Sequence, residues 1–246
     1  MARRSFVLTL VLPAYNEARR IEESLGRCAE FFRDREISGE IILADDGSTD
    51  ATAAIFHRAK VAHTHLGLAF KVLRLPHRGK GAAVRAGMQA ATGDPIVFLD
   101  ADLTIPVEII DLFIGALDTG ADIAIASRYV PGSIVDRPWW RRVMGDVFRA
   151  VVHLLVPTNI RDTQCGGKMY TAEAAKDLFA KQRLNGFAFD AEVLFLARRA
   201  GYTVREIPFA LRQHGETRID FLADTPKMLR DLFVIRLNDM RGLYGT

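Results

Sequence analysis

The chain has 246 residues, 49% of them hydrophobic and 26% charged, and carries a formal net charge of +3. Such a composition builds an ordinary globular core, and two cysteines, Cys28 and Cys165, exclude a disulfide framework or a four-ligand zinc site. The low cysteine count fits a reducing, cytoplasmic setting. No run reaches the roughly eighteen apolar residues that span a bilayer, so the chain is expected not to cross a membrane, with peripheral contact at the cytoplasmic membrane face at most. In chain order, Arg3-Arg4 ahead of Phe6–Leu12 resembles a signal start, but the apolar run is short and Pro13–Glu17 follows at once. A buried first strand is the better reading.

Glu17–Arg33 carries Ile21, Leu25, Cys28 and Phe32 at helical spacing, and Glu40–Ala44 reads as a second strand. Asp50–His63 is the next helix, with Asp50 as its N-cap. Phe70–Leu75, Ala82–Ala91 and Pro95–Leu99 continue as strand, helix and strand, then Val107–Leu117 and Asp122–Ala126 as helix and strand. The alternation predicts a mostly parallel sheet covered on both faces. Beyond it, Pro138–Val156 and Asp190–Ala200 read as helices, Gly166–Tyr170 and Thr203–Ile207 as short strands, and Thr225–Leu243 as a basic amphipathic helix.

Ligands of open parallel sheets bind beyond the carboxyl ends of the strands. Three polar clusters fall there: Pro13–Glu17, Asp45–Asp50 and Asp100–Asp102. Each alone could be a solvated turn; their convergence on one edge is the signal. Asp100-Ala-Asp102 places two carboxylates where a hard cation, Mg²⁺ or Mn²⁺, accepts oxygen ligands completed by substrate phosphates. Such an ion neutralises the charge that develops as a nucleotide diphosphate leaves.

Pro13-Ala-Tyr-Asn-Glu17, Asp45-Asp-Gly-Ser-Thr-Asp50 and Asp100-Ala-Asp-Leu103, in that order and spacing, resemble the family 2 glycosyltransferases of the GT-A fold. Arg78-Gly-Lys-Gly81, Ala126-Ser-Arg-Tyr129, Asp162-Thr-Gln-Cys-Gly166 with Lys168, Phe187-Ala-Phe-Asp190 and Arg212–Arg218 are similar to segments of the polyprenyl-phosphate (dolichyl-phosphate) hexosyltransferases. The Asp-Thr-Gln-Cys-Gly string resembles their glucosyltransferase branch. The likeness covers roughly residues 5–220 and implies an α/β fold. That fold is a single GT-A domain over residues 1–222, a Rossmann-like sheet with helices on both faces, and an amphipathic helical extension over 223–246.

The resemblance also implies roles. Pro13, Tyr15, Glu17, Asp46, Lys80 and Ala101 would line the nucleotide sugar. Asp100 and Asp102 would bridge diphosphate and metal, and Arg128 would sit by the sugar or pyrophosphate. Lys168, Arg212 and Arg218 would meet the acceptor phosphate. Asp162 and Asp190 are the candidates to orient the acceptor or take its proton; Asp190 could instead cap the helix it begins, and Asp162 could simply organise a turn. The expected partners are UDP-glucose, with GDP-mannose as the alternative donor, and a polyprenyl phosphate, with a soluble acceptor as the rival; inversion is carried over from the family.

Gly167 stands where relatives carry an aromatic residue, Gly215-Glu-Thr-Arg218 where they often show Gly-x-Ser-Lys, and no transmembrane anchor is present. Trp139-Trp-Arg-Arg142 opens a helix that either rests on a lipid surface or packs on the core. The C-terminal helix invites the same two readings and a third, a homodimer interface. Nucleotidyl transfer is disfavoured because no glycine-rich loop follows the first strand. Nucleic-acid binding is disfavoured because the arginines are scattered.

Overall fold

The computed structural model describes residues 7–136, 138–212 and 221–245. Its main sheet begins with β1 (Val7–Ala14), β2 (Ser38–Asp45), β3 (Ala69–Arg74) and β4 (Ile96–Leu99), joined by the helices α1 (Ile21–Asp34), α2 (Thr52–Ala59) and α3 (Lys80–Ala90). After α4 (Ile109–Asp118) come β5 (Ile123–Ser127), β6 (Ile134–Asp136), α5 (Trp139–Leu155) and β7 (Gly167–Tyr170). The chain closes with α6 (Ala172–Lys181), α7 (Phe189–Ala200), β8 (Val204–Pro208), β9 (Ala210–Arg212) and α8 (Phe221–Met240). The strand order is β3-β2-β1-β4-β7-β5-β8, while β6 and β9 pair separately. All neighbours in the large sheet are parallel except β7, which runs antiparallel between β4 and β5. The sequence expectation of a mostly parallel sheet with helices on both faces holds.

Alternate residues of each strand feed two cores, as a pleated strand buried on both faces requires. Leu8, Leu10 and Leu12 of β1 join Ile41, Leu43, Val97 and Leu99 against Leu25, Phe32, Phe56 and Phe113 on one face. On the other, Val11, Ile42, Ile96, Phe98 and Ile125 meet Val84 and Met88 of α3, Leu178 and Phe179 of α6, and Leu194 of α7. Each fully buried Leu, Ile or Phe contributes about 1.5–3 kcal/mol relative to exposure. Leu232 and Ile235 tie α8 into the second core.

This layout fixes where a ligand sits. From β1 the chain steps outward to β2 and β3, then returns across β1 to β4. The carboxyl ends of β1 and β4 therefore flank the point where the winding reverses, the ordinary binding crevice of an open α/β sheet. Asp45 ends β2, Asp100 follows β4, and Arg128 follows β5 on the same edge. Antiparallel β7 delivers its first residues, Gly167 and Lys168, to that edge as well.

Asp50 differs in detail from its expected role. The helix starts at Thr52, whose backbone N–H donates to Asp50 Oδ1 at 2.9 Å, and Asp50 Oδ2 also accepts from Ala18 N. The carboxylate thus ties α2 to the start of α1. Helix α6 was missed, although Thr171 caps it by accepting from Ala174 N.

Candidate active site

The part of the edge beyond β1 and β2 is built by one run of contacts. Tyr15, just past β1, stacks on His77 with ring centroids 4.1 Å apart. His77 Nδ1 lies 2.8 Å from Asp46 Oδ2, and Asp46 accepts backbone N–H bonds from Arg78 at 2.9 Å and Gly79 at 2.8 Å. Asp46 is buried; in the structure its carboxylate anchors the loop that leads into α3. The expectation that Asp46 lines the nucleotide sugar is thus joined by a structural role within the protein. Glu17 is also buried, with its N–H donating to Thr52 Oγ1 at 2.7 Å, while Pro13 lies inside β1 opposite Ala44. Tyr15 and His77 are both exposed at this end, as is Arg78, and His77 carries no signal in the sequence.

The loop delivers Lys80 to the acidic pair. Lys80 Nζ lies 2.6 Å from Asp100 Oδ1. Burial lowers the lysine pKa, but Asp100, Asp190 and Asp102 outweigh it, so the ammonium sits above its ordinary range and stays charged. Asp102 is exposed and accepts from Thr104 N at 3.0 Å. Between the two, Ala101 turns its methyl into the core while its carbonyl accepts from Ser24 Oγ at 2.6 Å. Its side chain spaces the two carboxylates. Across from them, a Cβ on Gly166 would stand 2.0 Å from Asp100 Oδ2. Only glycine leaves that carboxylate room.

Among the described residues no group of three His, Cys, Asp or Glu could hold a metal by itself. Two hard carboxylates beside open space still fit Mg²⁺ or Mn²⁺, which take the rest of their oxygens from water and substrate phosphates. Both cysteine thiols are pushed up to about 12 by burial, so neither supplies a thiolate at neutral pH.

Lys168 departs most from expectation. It sits in a central strand, opposite Phe98 on one side and Ile125 on the other, with no exposed surface. Its Nζ meets Asp190 Oδ1 and the Cys165 carbonyl, each at 2.5 Å, and lies 5.4 Å from the Phe98 ring centroid. A cation enclosed this way binds no surface phosphate. Asp190 is correspondingly no helix cap: it is the second residue of α7, whose N-cap is Ala188. Burial raises its carboxyl above the usual range, against the pull of Lys168 and Lys80.

Arg128 and Asp162 form the other buried pair. Arg128 donates from Nε to Asp162 Oδ2 and from Nη2 to Asp162 Oδ1, both at 2.8 Å, and its backbone N–H adds a bond of 2.9 Å. Glu206 of β8 holds Asp162 from behind by accepting from the N–H groups of Arg161 and Asp162. Burial would raise the Asp162 carboxyl, but the Arg128 charge and its hydrogen bonds outweigh that and hold it below the usual range. A carboxylate so occupied orients Arg128 and makes a poor proton acceptor. The Arg128 guanidinium also faces the Tyr129 ring, with Arg149 of α5 over the same ring at 4.4 Å. Arg218 lies outside the described residues, as does the side chain of Arg212.

The Asp162 shift has a pH signature. Its folded-state pKa is the lower one, so the stabilisation is complete above the unfolded value of about 3.9 and is lost as pH falls through the folded value. Acid unfolding should therefore steepen below about pH 4, and Asp162→Asn should flatten that limb. Equal slopes in the two proteins would refute the assignment.

The sequence pattern of Glycosyl transferase family 2 matches residues 9–179. Dolichyl-phosphate beta-glucosyltransferase of Drosophila melanogaster is 32% identical over 98% of this chain and 77% of its own length. The enzyme of that name from Saccharomyces cerevisiae is 30% identical over 96% and 76%. Glycosyltransferase AglD of Haloferax volcanii is 32% identical over 88% of this chain, which spans only 35% of that protein. Among solved structures, glucosyl-3-phosphoglycerate synthase from Mycobacterium tuberculosis in complex with UDP aligns with a TM-score of 0.69 at 22% identity. It covers 95% of this chain and 79% of the other. The same synthase has been crystallised with Mn²⁺, UDP and glucosyl-3-phosphoglycerate.

Proposed function

The chain belongs to glycosyl transferase family 2 and is a glycosyltransferase; from that premise we propose that it transfers glucose from UDP-glucose to a polyprenyl phosphate with inversion. The observation that carries the reading is Lys80 meeting Asp100 beside the exposed Asp102, at the reversal of the sheet winding. The names of its relatives supply the glucose and the lipid phosphate.

Uracil and ribose would rest on the Tyr15–His77 stack, and Lys80 would exchange part of its bond to Asp100 for the diphosphate. Asp100 and Asp102 would hold a divalent cation, which would supply positive charge to that leaving group. An oxygen of the acceptor phosphate forms the bond to the anomeric carbon as the bond to the diphosphate breaks, and the electron pair departs on UDP. A phosphate monoester is anionic near neutral pH, so no base is required. The engagement of Asp162 by Arg128 and of Asp190 by Lys168 fits this requirement. Arg128, oriented by Asp162 and 24% exposed, would steady an anionic oxygen of either substrate.

The acceptor reading draws further support from α5. Phe148, Val151 and Leu155 pack inward, while Trp139, Trp140, Val143, Val147 and Leu154 are exposed beside Arg142 and Arg149. No helix among the described residues is long and apolar enough to cross a membrane. Aromatic and cationic residues next to an apolar stripe suit a lipid surface.

The test uses radiolabelled UDP-glucose with polyprenyl phosphate in anionic vesicles. Label is expected in the organic phase, and Trp139→Ser with Trp140→Ser should slow its appearance severalfold. Label confined to water-soluble products would overturn the lipid acceptor, and wild-type rates in the double variant together with a dimer in solution would assign the helix to self-association.

A further inference from the structure

We propose that Glu192 and Tyr244 are positioning residues for Lys80, so that the C-terminal tail sets how the enzyme holds the donor's diphosphate; this rests on the reading of Lys80 as a diphosphate ligand. The segment 78–82 that carries Lys80 is gripped from two sides. Asp46 takes the N–H groups of Arg78 and Gly79 on one side. On the other, Ala82 N donates to the Asn185 carbonyl at 3.2 Å, and Gln182 Nε2 donates to the Gly81 carbonyl at 2.9 Å. Arg85 reinforces the contact through the Gln182 carbonyl and Asn185 Oδ1. The fit is close: Gly79 has φ 112°, and a Cβ there would stand 2.6 Å from the Asn185 carbonyl oxygen.

The loop between α6 and α7 is itself placed by a carboxylate that no catalytic step uses. Glu192 of α7 is fully buried, and its Oε2 accepts from Arg183 N at 3.1 Å and Leu184 N at 2.8 Å. Its Oε1 accepts from the Tyr244 hydroxyl at 2.6 Å. Tyr244 is 3% exposed and packs edge-on to Phe195, and Arg183 donates to the Leu243 carbonyl from Nε and Nη2. An unbroken path thus runs from Tyr244 through Glu192 and residues 183–185 to the first turn of α3. A buried carboxylate that loses a donor must draw on its remaining ones. The bonds to 183 and 184 then shift, and Lys80 shifts with them.

The experiment measures binding of UDP with Mn²⁺, and of uridine, to the full chain and to Tyr244→Phe and Glu192→Gln. Tyr244→Phe keeps the ring and removes only the hydroxyl. Both variants are expected to bind UDP about three- to tenfold more weakly, since small misplacements of a ligand group are costly, and to bind uridine as wild type does. In a Lys80→Ala background Tyr244→Phe should have no further effect. Unchanged UDP binding in both variants, or equal losses for UDP and uridine, would overturn the positioning role. A wild type that binds no UDP would instead overturn the donor reading and take this inference with it.

Discussion

Asp102→Asn is expected to lower turnover by two to three powers of ten, about 3–4 kcal/mol of transition-state stabilisation, with no loss of fold. The side chain is exposed, and its contact with Thr104 N is one that an Asn oxygen can keep. What disappears is the negative charge that would hold a cation against the departing diphosphate. Asp100→Asn should cost at least as much, because it also removes the ion pair of Lys80. Steady-state rates with UDP-glucose, alongside melting temperatures, check both. A rate within about threefold of wild type for Asp102→Asn would show that the second carboxylate does not serve the reaction.

Lys168→Met should be the most destabilising of these substitutions, by about 3–5 kcal/mol, because it strands the Asp190 carboxylate without its cation. Lys168 has no exposed surface and Asp190 is nearly as enclosed, so solvent cannot substitute for the lost partner. The deficit carries a sign. An unpaired buried carboxyl has a folded-state pKa raised above its unfolded value, so the variant regains stability as pH falls through that folded value. Replacing both partners by apolar side chains should recover much of the loss. Urea unfolding at two pH values measures this, and a single variant as stable as wild type would refute the account of the pair.

The legible and illegible parts of the chain divide along physical lines. The apolar runs of β1, β2, β4 and β5 were visible because strands buried on both faces need continuous hydrophobicity. The polar clusters at their ends were visible because turn chemistry interrupts them. The insertion of β7 between β4 and β5 was not: four residues, Gly-Lys-Met-Tyr, carry no signal of direction or neighbour. The sequence consequently offers Lys168 as a phosphate contact, whereas its central position buries it and pairs it with Asp190 in α7. Asp46 lay at the right sheet edge, yet nothing local indicated that its carboxylate would serve the backbone of residues 78 and 79. The roles of Glu206 and Glu192 depend on contacts 44 and 52 residues away along the chain, beyond the reach of pattern. For α6 a signal existed, Thr171 at the N-cap ahead of Ala-Glu-Ala-Ala.

Everything turns on the two aspartates after β4 receiving a nucleotide diphosphate together with a cation. The most direct measurement is anomalous diffraction from crystals soaked with UDP and Mn²⁺. The expected map has a manganese peak against the carboxylates of Asp100 and Asp102, with the diphosphate beside it and within reach of Lys80. A nucleotide bound at another edge of the sheet, or one bound here with no manganese at either aspartate, would contradict the account.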